Sequence, residues 1–232
     1  MHPGFVLLVV AVVAVAVVVA WLGRRAEAKR RAALAAFAVN NGWRFVDADD
    51  SYCTRWHGPP FDAGDHRRAR NVLAGTHRGR PMVAFDYSYQ THSTDSQGHR
   101  HTTTHSYTVC TLGLPAPVPG LSVTPESLLT RVGEAFGFSD IQLESEDFNR
   151  RFRVRAPDPK FAYDVLSPRT MQLLLSRPAE RWRIEGDTIL CWDTGRAEPV
   201  AVLDRLSLLS AVVEGIPDYV WRDRGATTGG PA

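Results

Sequence analysis

The fold of this chain is decided at residues 71–89, NVLAGTHRGRPMVAFDYSY, where two apolar runs flank a short basic turn. In the second run, residues 82–89, large apolar or aromatic side chains alternate with small or polar ones, and this period of two is typical of a β-strand. The residues between the runs, HRGR at 77–80, carry a glycine suited to a tight turn. The stretch therefore predicts a β-hairpin of strands 71–76 and 82–89, in which the second strand has one buried face and one face in water.

Further strand patterns follow downstream of this hairpin. Residues 90–104 are polar and precede another strand pattern at residues 106–113, which predicts a long hairpin with a mobile tip. A strand is predicted at residues 148–155 from its alternating pattern. A second hairpin is predicted at residues 181–192, where Gly186 separates two apolar runs.

Helix signals lie between and after these strands. Asp158-Pro159 and Ser167-Pro168 each combine a capping side chain with a proline suited to the first helical turn. Residues 200–213 carry leucine and valine at helical spacing. Because antiparallel strands mix with helices without βαβ regularity, the chain predicts an α+β fold: one globular domain of antiparallel strands with packed helices at residues 43–221. Residues 222–232 are predicted to be a disordered tail.

The N-terminal residues 5–22, FVLLVVAVVAVAVVVAWL, contain no charge, proline or glycine. As a helix they are about 27 Å long, close to the roughly 30 Å hydrocarbon core of a bilayer. The run predicts a transmembrane helix, anchored by Phe5, Trp21 and Leu22, within an anchor and flank at residues 1–25. A cleaved secretory signal peptide is the alternative interpretation, but it would need a shorter apolar core and a basic start.

A basic flank follows the apolar run, and Glu27 is the acid that opposes it. The Lys and Arg residues of this flank are Arg24, Arg25, Lys29, Arg30 and Arg31. Because cytoplasmic flanks carry the excess of positive charge, we expect the N-terminus outside the cell membrane, the domain in the cytoplasm, and the flank on anionic lipid headgroups. Residues 26–42 are alanine-rich and predict a juxtamembrane helix that separates the domain a little from the bilayer.

The composition of the 232-residue chain excludes several classes of protein. It is 44% hydrophobic and 22% charged, which is ordinary for a globular domain and unlike a disordered chain. Its three cysteines are too few for a disulfide-dense secreted scaffold. The chain has 27 Lys and Arg against 25 Asp and Glu, and without the basic flank the remainder is slightly acidic. No nucleic-acid partner is therefore predicted.

The polar stretch and the strand after it carry the densest group of potential metal ligands: His92, His99, His101 and His105. Neutral imidazoles bind zinc, copper or nickel. With a carboxylate, His99, His101 and His105 would suit a membrane-anchored metal-dependent hydrolase, provided that they converge. Their Thr- and Ser-rich surroundings offer little rigidity, and a solvated hairpin tip is the simpler interpretation.

Two other groups have the residue types of a site but not the spacing. Asp62, Asp65 and His66 lack the pattern of a cation-binding loop, so a solvated loop is the default interpretation. Cys53 and His57 have the types of a nucleophile and its base, but their loop is too rich in Pro and Gly to fix that geometry. The chain contains no GxSxG, HExxH, P-loop or GxGxxG motif, so no catalytic residue and no cofactor is predicted.

The loop at residues 56–61, WHGPPF, is the predicted contact surface, with Trp56, His57 and Phe61 as its candidate residues. The anchor, the nearly neutral domain and the missing motifs together predict a noncatalytic interaction or scaffold module tethered to the membrane. Its expected partners are the lipid bilayer and another membrane or cytosolic protein, and homo-oligomerisation stays open.

Four segments also carry a resemblance: NVLAG at residues 71–75, AFDY at 84–87, ESEDFNRRF at 144–152 and AYDVLSPRTM at 162–171. Together they resemble a group of uncharacterised single-pass membrane proteins of high-GC actinobacteria. The resemblance extends over nearly the whole chain beyond the anchor. It implies a membrane-anchored protein, and it supplies no catalytic residue, cofactor or substrate.

Overall fold

The computed structural model describes residues 3–126 and 140–222, with side chains from residue 10 onward. The predicted disordered tail lies outside the described residues from residue 223 on. Within the described ranges the chain has the predicted α+β fold, a seven-stranded antiparallel sheet with packed helices.

The strands in chain order are β1 (Arg44–Ala48), β2 (Asp65–His77), β3 (Arg80–Thr94), β4 (Arg100–Pro125), β5 (Asp140–Ile141), β6 (Phe152–Arg155) and β7 (Arg181–Thr194). Their order in the sheet is β1-β2-β3-β4-β6-β5, and β7 also pairs with the long central strand β4. The hairpin predicted at residues 71–89 is confirmed as β2 and β3. The two strands turn at Gly79, whose φ of +77° suits a residue without a side chain.

The helices are α1 (Pro3–Asn40), α2 (Glu146–Arg151), α3 (Pro159–Val165), α4 (Pro168–Leu175), α5 (Pro199–Glu214) and α6 (Asp218–Arg222), and a 3-10 turn covers Asp50–Cys53. The predicted starts of α3 and α4 are confirmed. The Asp158 carboxylate accepts a hydrogen bond from the backbone N–H of Phe161, and the Ser167 hydroxyl accepts one from that of Thr170. The helix predicted at residues 200–213 is α5.

The predicted hairpin at residues 181–192 is wrong, because this segment forms one continuous strand, β7, paired along β4. Gly186, with a φ of +59°, lies opposite Val118 at an irregularity in the ladder. The glycine therefore accommodates a bulge and not a turn. Pairing with the long strand β4 satisfies the backbone hydrogen-bonding groups on both sides of Gly186. A local sequence pattern cannot reveal a strand partner that lies this far away in the chain.

The strand predicted at residues 148–155 begins later than expected, because the residues up to Arg151 form α2. Ser145 caps this helix by accepting a hydrogen bond from the backbone N–H of Phe148 at 3.3 Å. One helical turn then brings the rings of Phe148 and Phe152 to a centroid distance of 4.8 Å. A spacing of four positions fits a helical turn as well as a strand face, so the period was ambiguous here.

Both faces of the sheet are covered, whereas the sequence predicts one face in water. Ala84 of β3 is buried in the main core, which also contains residues of α1 and of α3 to α6. Phe85 and Tyr87 of the same strand are buried on the opposite face, in a smaller aromatic cluster closed by residues 52–61. The alternation along β3 therefore separates two buried environments.

The helix α1 is continuous from Pro3 to Asn40, and its C-terminal half belongs to the folded domain. Leu34 and Ala38 are fully buried in the main core. The stretch predicted as a separate juxtamembrane helix, residues 26–42, therefore packs against the domain along its length.

The structure does not support the predicted transmembrane helix. Within the part of the chain that is described, no helix is long and apolar enough to cross a membrane. The apolar part of α1 with described side chains is residues 10–22. Arg24 and Arg25 follow it directly after Gly23.

Candidate functional site

The carboxylate of Asp86, in the middle of β3, holds α1 to the sheet. Its Oδ2 atom accepts hydrogen bonds from Nη2 of Arg30 at 2.6 Å and from Nδ2 of Asn71 at 2.7 Å, and its Oδ1 atom accepts one from the backbone N–H of Ala197 at 2.7 Å. The Arg30 and Asp86 side chains are only 12% and 14% exposed. Loss of Arg30 would be costly, because the Asp86 carboxylate, this far removed from water, would lose its ion-pair partner.

The same arginine also joins two other segments of the chain. Its Nη1 donates to the carbonyl oxygen of Ala197 at 3.0 Å, and its Nη2 lies 2.7 Å from Oε1 of Glu27. The other Glu27 oxygen accepts from Nη1 of Arg196 at 2.6 Å. The hydrogen bond from Arg30 holds the pKa of the Glu27 carboxyl below its usual range. We call this network of Glu27, Arg30, Asp86, Asn71, Arg196 and Ala197 the clasp.

The clasp divides the predicted lipid-headgroup flank into two sets. Arg30 belongs to the clasp, and Arg31 forms an ion pair with Asp47 of β1. Arg24, Arg25 and Lys29 are exposed. Three of the five basic residues therefore face away from the domain, and Arg30 is engaged by the sheet.

The predicted anchor residues lie in the N-terminal part of α1, ahead of Leu34 and Ala38, which are buried in the core. Trp21 and Leu22 are exposed, and the side chain of Phe5 lies outside the described ones. Arg25 stacks over the Trp21 ring at 5.2 Å from its centroid. Large apolar side chains are exposed on every side of the helix between residues 10 and 22: Val10, Val12, Val13, Val15, Val17, Val18, Val19, Trp21 and Leu22.

The predicted contact loop at residues 56–61 is packed against the domain. Trp56 and Phe61 are buried in the smaller aromatic cluster, where their ring centroids lie 5.5 Å apart. His57 is exposed, and its Nδ1 lies 3.0 Å from Oε1 of Glu185. Of the three candidate contact residues, His57 is thus the one presented to solvent.

Arg183 of β7 holds this loop in place, and sequence reasoning missed it. Its guanidinium lies between the rings of Phe61 and Trp192, at 5.7 and 5.2 Å from their centroids. It donates to the carbonyl oxygen of Pro59 and lies 3.1 Å from a carboxylate oxygen of Glu185. Burial lowers the pKa of this guanidinium. The alternating Arg181 and Arg183 pattern was the available signal, but it is also the pattern of an exposed strand face.

A cavity of about 180 Å³ opens beside Arg183. It is lined by Gly120, Leu121, Ser122, Arg183, Ile184, Glu185 and Gly186. The volume is below the roughly 300–1,000 Å³ of typical small-molecule sites. Its one cation and its one carboxylate already form an ion pair with each other, so the cavity does not have the features of an active site.

The structure does not bring the three predicted metal ligands together. Nδ1 of His99 and Nε2 of His101 both contact Oδ2 of Asp95, at 3.2 and 3.1 Å. His105 instead lies 2.8 Å from the Thr91 hydroxyl and stacks on Tyr89. His101 and His105 are four positions apart on one strand, which places them about 13 Å from each other.

The pair of Cys53 and His57 also lacks the geometry and the acidity of a nucleophile and its base. Burial raises the pKa of the Cys53 thiol to about 11, so the thiol is protonated at neutral pH. The His57 ring faces Glu185. Cys110 and Cys191, both fully buried, lie directly opposite each other on β4 and β7 as free thiols.

No protein-family model and no curated protein matches this chain. Among solved structures, the fold is similar to that in the crystal structure of the mycobacterial trehalose monomycolate transport factor A, TtfA. The TM-score is 0.56 at 13% sequence identity, and the similarity covers 81% of this chain and 96% of that chain. At this identity the similarity shows a shared fold and assigns no residue a role. The resemblance to actinobacterial single-pass membrane proteins stays a prediction.

Proposed function

We propose that this chain is a noncatalytic, membrane-tethered scaffold module whose domain is held at a fixed angle to its tether. The proposal rests on one observation: α1 is a single helix that is apolar and exposed along residues 10–22 and clasped to the sheet through Arg30 and Asp86. A tether and a domain that share one rigid element cannot rotate freely with respect to each other.

The tether that we propose is the whole apolar run of residues 5–22. Nine large apolar side chains exposed between residues 10 and 22 are more than a soluble surface normally carries in one patch. With Arg24, Arg25 and Lys29 at the inner headgroups, the N-terminus would be outside and the domain in the cytoplasm. The bilayer is then the first partner.

A noncatalytic role fits the sites that the described residues form. The charged groups of the clasp, of the Arg183 loop and of the Asp95 pair are each satisfied by protein partners and leave no group poised for chemistry. The alternative, a metal-dependent hydrolase using His99, His101 and His105, requires a convergence that the structure lacks. TtfA is named a transport factor, and by analogy we propose that this chain assists another membrane or cytosolic protein, either alone or as a homo-oligomer.

The tether can be tested without disturbing the fold, because the relevant side chains are exposed. A variant carrying Val13→Lys and Val17→Lys places two charges in the apolar run, and Val39→Lys places one at an exposed position near the C-terminal end of the same helix. Membranes from expressing cells would be extracted with alkaline carbonate. We expect the wild-type chain and Val39→Lys to stay in the pellet and the double variant to be released.

Release of the wild-type chain together with Val39→Lys would contradict the tether. A C-terminal epitope tag that is digested by protease in intact cells would contradict the proposed orientation. For the scaffold role, a photo-crosslinker replacing exposed His57 should give a discrete adduct in native membranes. Diffuse crosslinking that is no stronger than that from a crosslinker at exposed Arg150 would argue against a partner at this loop.

A further inference from the structure

We propose that Asp65, His66 and His92 form a binding site for a divalent transition metal, with Zn²⁺ as the best-suited ion. One ligand atom from each of the three side chains lies within 4.8 Å of the other two. Oδ1 of Asp65 is 3.3 Å from Nε2 of His92. The site lies where β2 begins beside β3, and it shares no residue with the clasp or with the lining of the cavity at Arg183.

The approach of Asp65 and His66 to the same ligand position depends on a specific backbone distortion. Consecutive residues of a regular strand point to opposite faces of the sheet, so these two side chains would normally diverge. His66 has a φ of +49°, in the left-handed region that residues with side chains rarely adopt. The pairing of β2 with β3 is irregular between Asp65 and Arg68. This bulge turns both side chains towards His92, as bulges do where a side chain must be re-aimed.

The third ligand is oriented by a neighbouring strand. Nδ1 of His92 lies 2.9 Å from the hydroxyl oxygen of Thr102, which is directly opposite in the β3–β4 ladder. When Nδ1–H donates to this hydroxyl, the lone pair of the ring is on Nε2, the atom that faces Asp65. A hydrogen bond that fixes the tautomer and the orientation of a ligand imidazole is the usual support of a metal site.

The ligand set and its dimensions fit Zn²⁺. Two imidazoles and one carboxylate are ligands that zinc accepts, and hard ions such as Mg²⁺ prefer oxygen alone. In a tetrahedral site with metal–ligand bonds of about 2.0–2.1 Å, neighbouring ligand atoms are about 3.3–3.4 Å apart. Asp65 and His92 are already at this separation. Because His66 is exposed, its ring can close the remaining distance by side-chain rotation.

The test is a zinc titration of the full chain by calorimetry, in detergent, without a histidine tag and after chelator treatment. We expect one Zn²⁺ per chain with a micromolar dissociation constant. His92→Ala and His66→Ala should each weaken binding at least tenfold. The matched control is the double variant His99→Ala with His101→Ala, which removes two exposed histidines from the same hairpin and should leave the affinity unchanged.

Two results would overturn the proposal: no stoichiometric zinc on the wild-type chain, or a loss in the control variant as large as in His92→Ala. The first would mean that Asp65 and His92 form an ion pair only, and the second would place the metal at Asp95. Circular dichroism of each variant would verify that the fold persists. A wild-type melting temperature that rises with Zn²⁺ but not with Mg²⁺, a rise absent in His92→Ala, would support the site independently.

Discussion

The guanidinium of Arg30 lies 2.6 Å from the carboxylate of Asp86, 56 positions along the chain. This pair joins α1, close behind its apolar segment, to the middle of the sheet. A residue that the sequence places on lipid headgroups is therefore part of the domain. The position of the domain relative to the N-terminal segment follows from this contact and from the burial of Leu34 and Ala38.

Breaking the clasp from one side should destabilise the protein strongly. Arg30→Ala leaves the buried Asp86 carboxylate without its charge partner, and we expect it to lower the free energy of unfolding by about 3 kcal/mol. Asp86→Ala should cost less, because Arg30 keeps its ion pair with Glu27. The measurement is urea unfolding of the full chain in mild detergent, followed by tryptophan fluorescence. The double variant should lose clearly less than the sum of the two, because the second change removes the orphaned charge.

Lys29→Ala is the matched control, because Lys29 is the exposed neighbour of Arg30 on the same helix. It should change stability by less than about 0.5 kcal/mol. Additive losses for Arg30 and Asp86 would show that the two side chains do not act as a pair.

The docking of α1 can be measured by truncating one side chain on each of its faces. Leu34 is 0% exposed and Val39 is 75% exposed, five positions along the same helix. Leu34→Ala should cost about 2–5 kcal/mol because it leaves a cavity in the core, and Val39→Ala should be nearly neutral. Equal unfolding midpoints for the two variants would mean that the helix is not packed on the domain.

Gly75 is required by the close approach of Trp43. A Cβ atom at position 75 would lie 2.4 Å from Cδ1 of the Trp43 ring and 3.2 Å from its backbone Cα. Gly75→Ala should therefore cost about 1–3 kcal/mol and alter the near-ultraviolet circular dichroism of the tryptophan. Gly23→Ala, in the exposed part of α1 with nothing within 4 Å, should be neutral or slightly stabilising. If both variants keep the wild-type spectrum and stability, the contact is absent.

Stability should fall in alkali because of Cys53. Burial raises the pKa of this thiol from 9.0 to about 11, so above pH 9 the unfolded chain releases a proton that the folded chain retains. The unfolded state then binds fewer protons, and the free energy of unfolding decreases as pH rises through this window. We expect Cys53 to account for about 1–2 kcal/mol of the decrease in the free energy of unfolding between pH 8 and pH 10.

The measurement is the unfolding midpoint between pH 8 and pH 10 in the wild-type chain and in Cys53→Ala. The difference between the two isolates Cys53 from Tyr87 and Tyr89, which begin to contribute near the ordinary tyrosine pKa of 10.0. Cys53→Ala lowers the overall stability and should make the pH dependence shallower. It should not abolish that dependence, because the buried thiol of Cys191, whose pKa is also raised, contributes in the same window. A variant with the same slope as the wild-type chain would exclude this thiol as the cause.

The facing thiols of Cys110 and Cys191 report on the compartment. Both are buried, and the hydrogen bond that the Cys191 thiol makes to Cys110, together with burial, raises the pKa of Cys191. If the domain is cytoplasmic, as we propose, chains quenched in acid and alkylated after unfolding should show three modified cysteines by mass spectrometry. Before unfolding, the two facing thiols should react far more slowly than after it. A disulfide between these two positions in cells would place the domain in an oxidising compartment.

The elements that could be predicted from sequence are those governed by local preferences. The hairpin around Gly79 follows from alternation and a turn residue, and α3 and α4 follow from Asp158-Pro159 and Ser167-Pro168. The wrong predictions concern patterns that fit two different structures. Gly186 resembles a turn residue, but β4 offers a partner to both of its flanks, and Phe148 fits a strand face until Ser145 caps a helix there.

The sites were harder to predict than the fold. His101 and His105 are close in sequence but contact different partners, because four positions along a strand span about 13 Å. The cluster of Asp65, His66 and His92 joins two strands through a bulge that no local pattern announces. Trp56 and Phe61 are predicted to contact a partner, but they are buried against other aromatic rings of the domain, which removes their apolar surface from water.

By itself, the sequence determined the α+β class, the hairpin of β2 and β3, the capped starts of α3 and α4, and the apolar start of α1 followed by arginines. These features depend on backbone preferences and side-chain periodicity over a few residues. Only the tertiary structure decided that the sheet is covered on both faces and that Arg30 binds Asp86 and the carbonyl of Ala197, 167 positions away. Such contacts form between segments that meet only after the chain has packed, and local propensity carries no information about which distant carboxylate an arginine will reach.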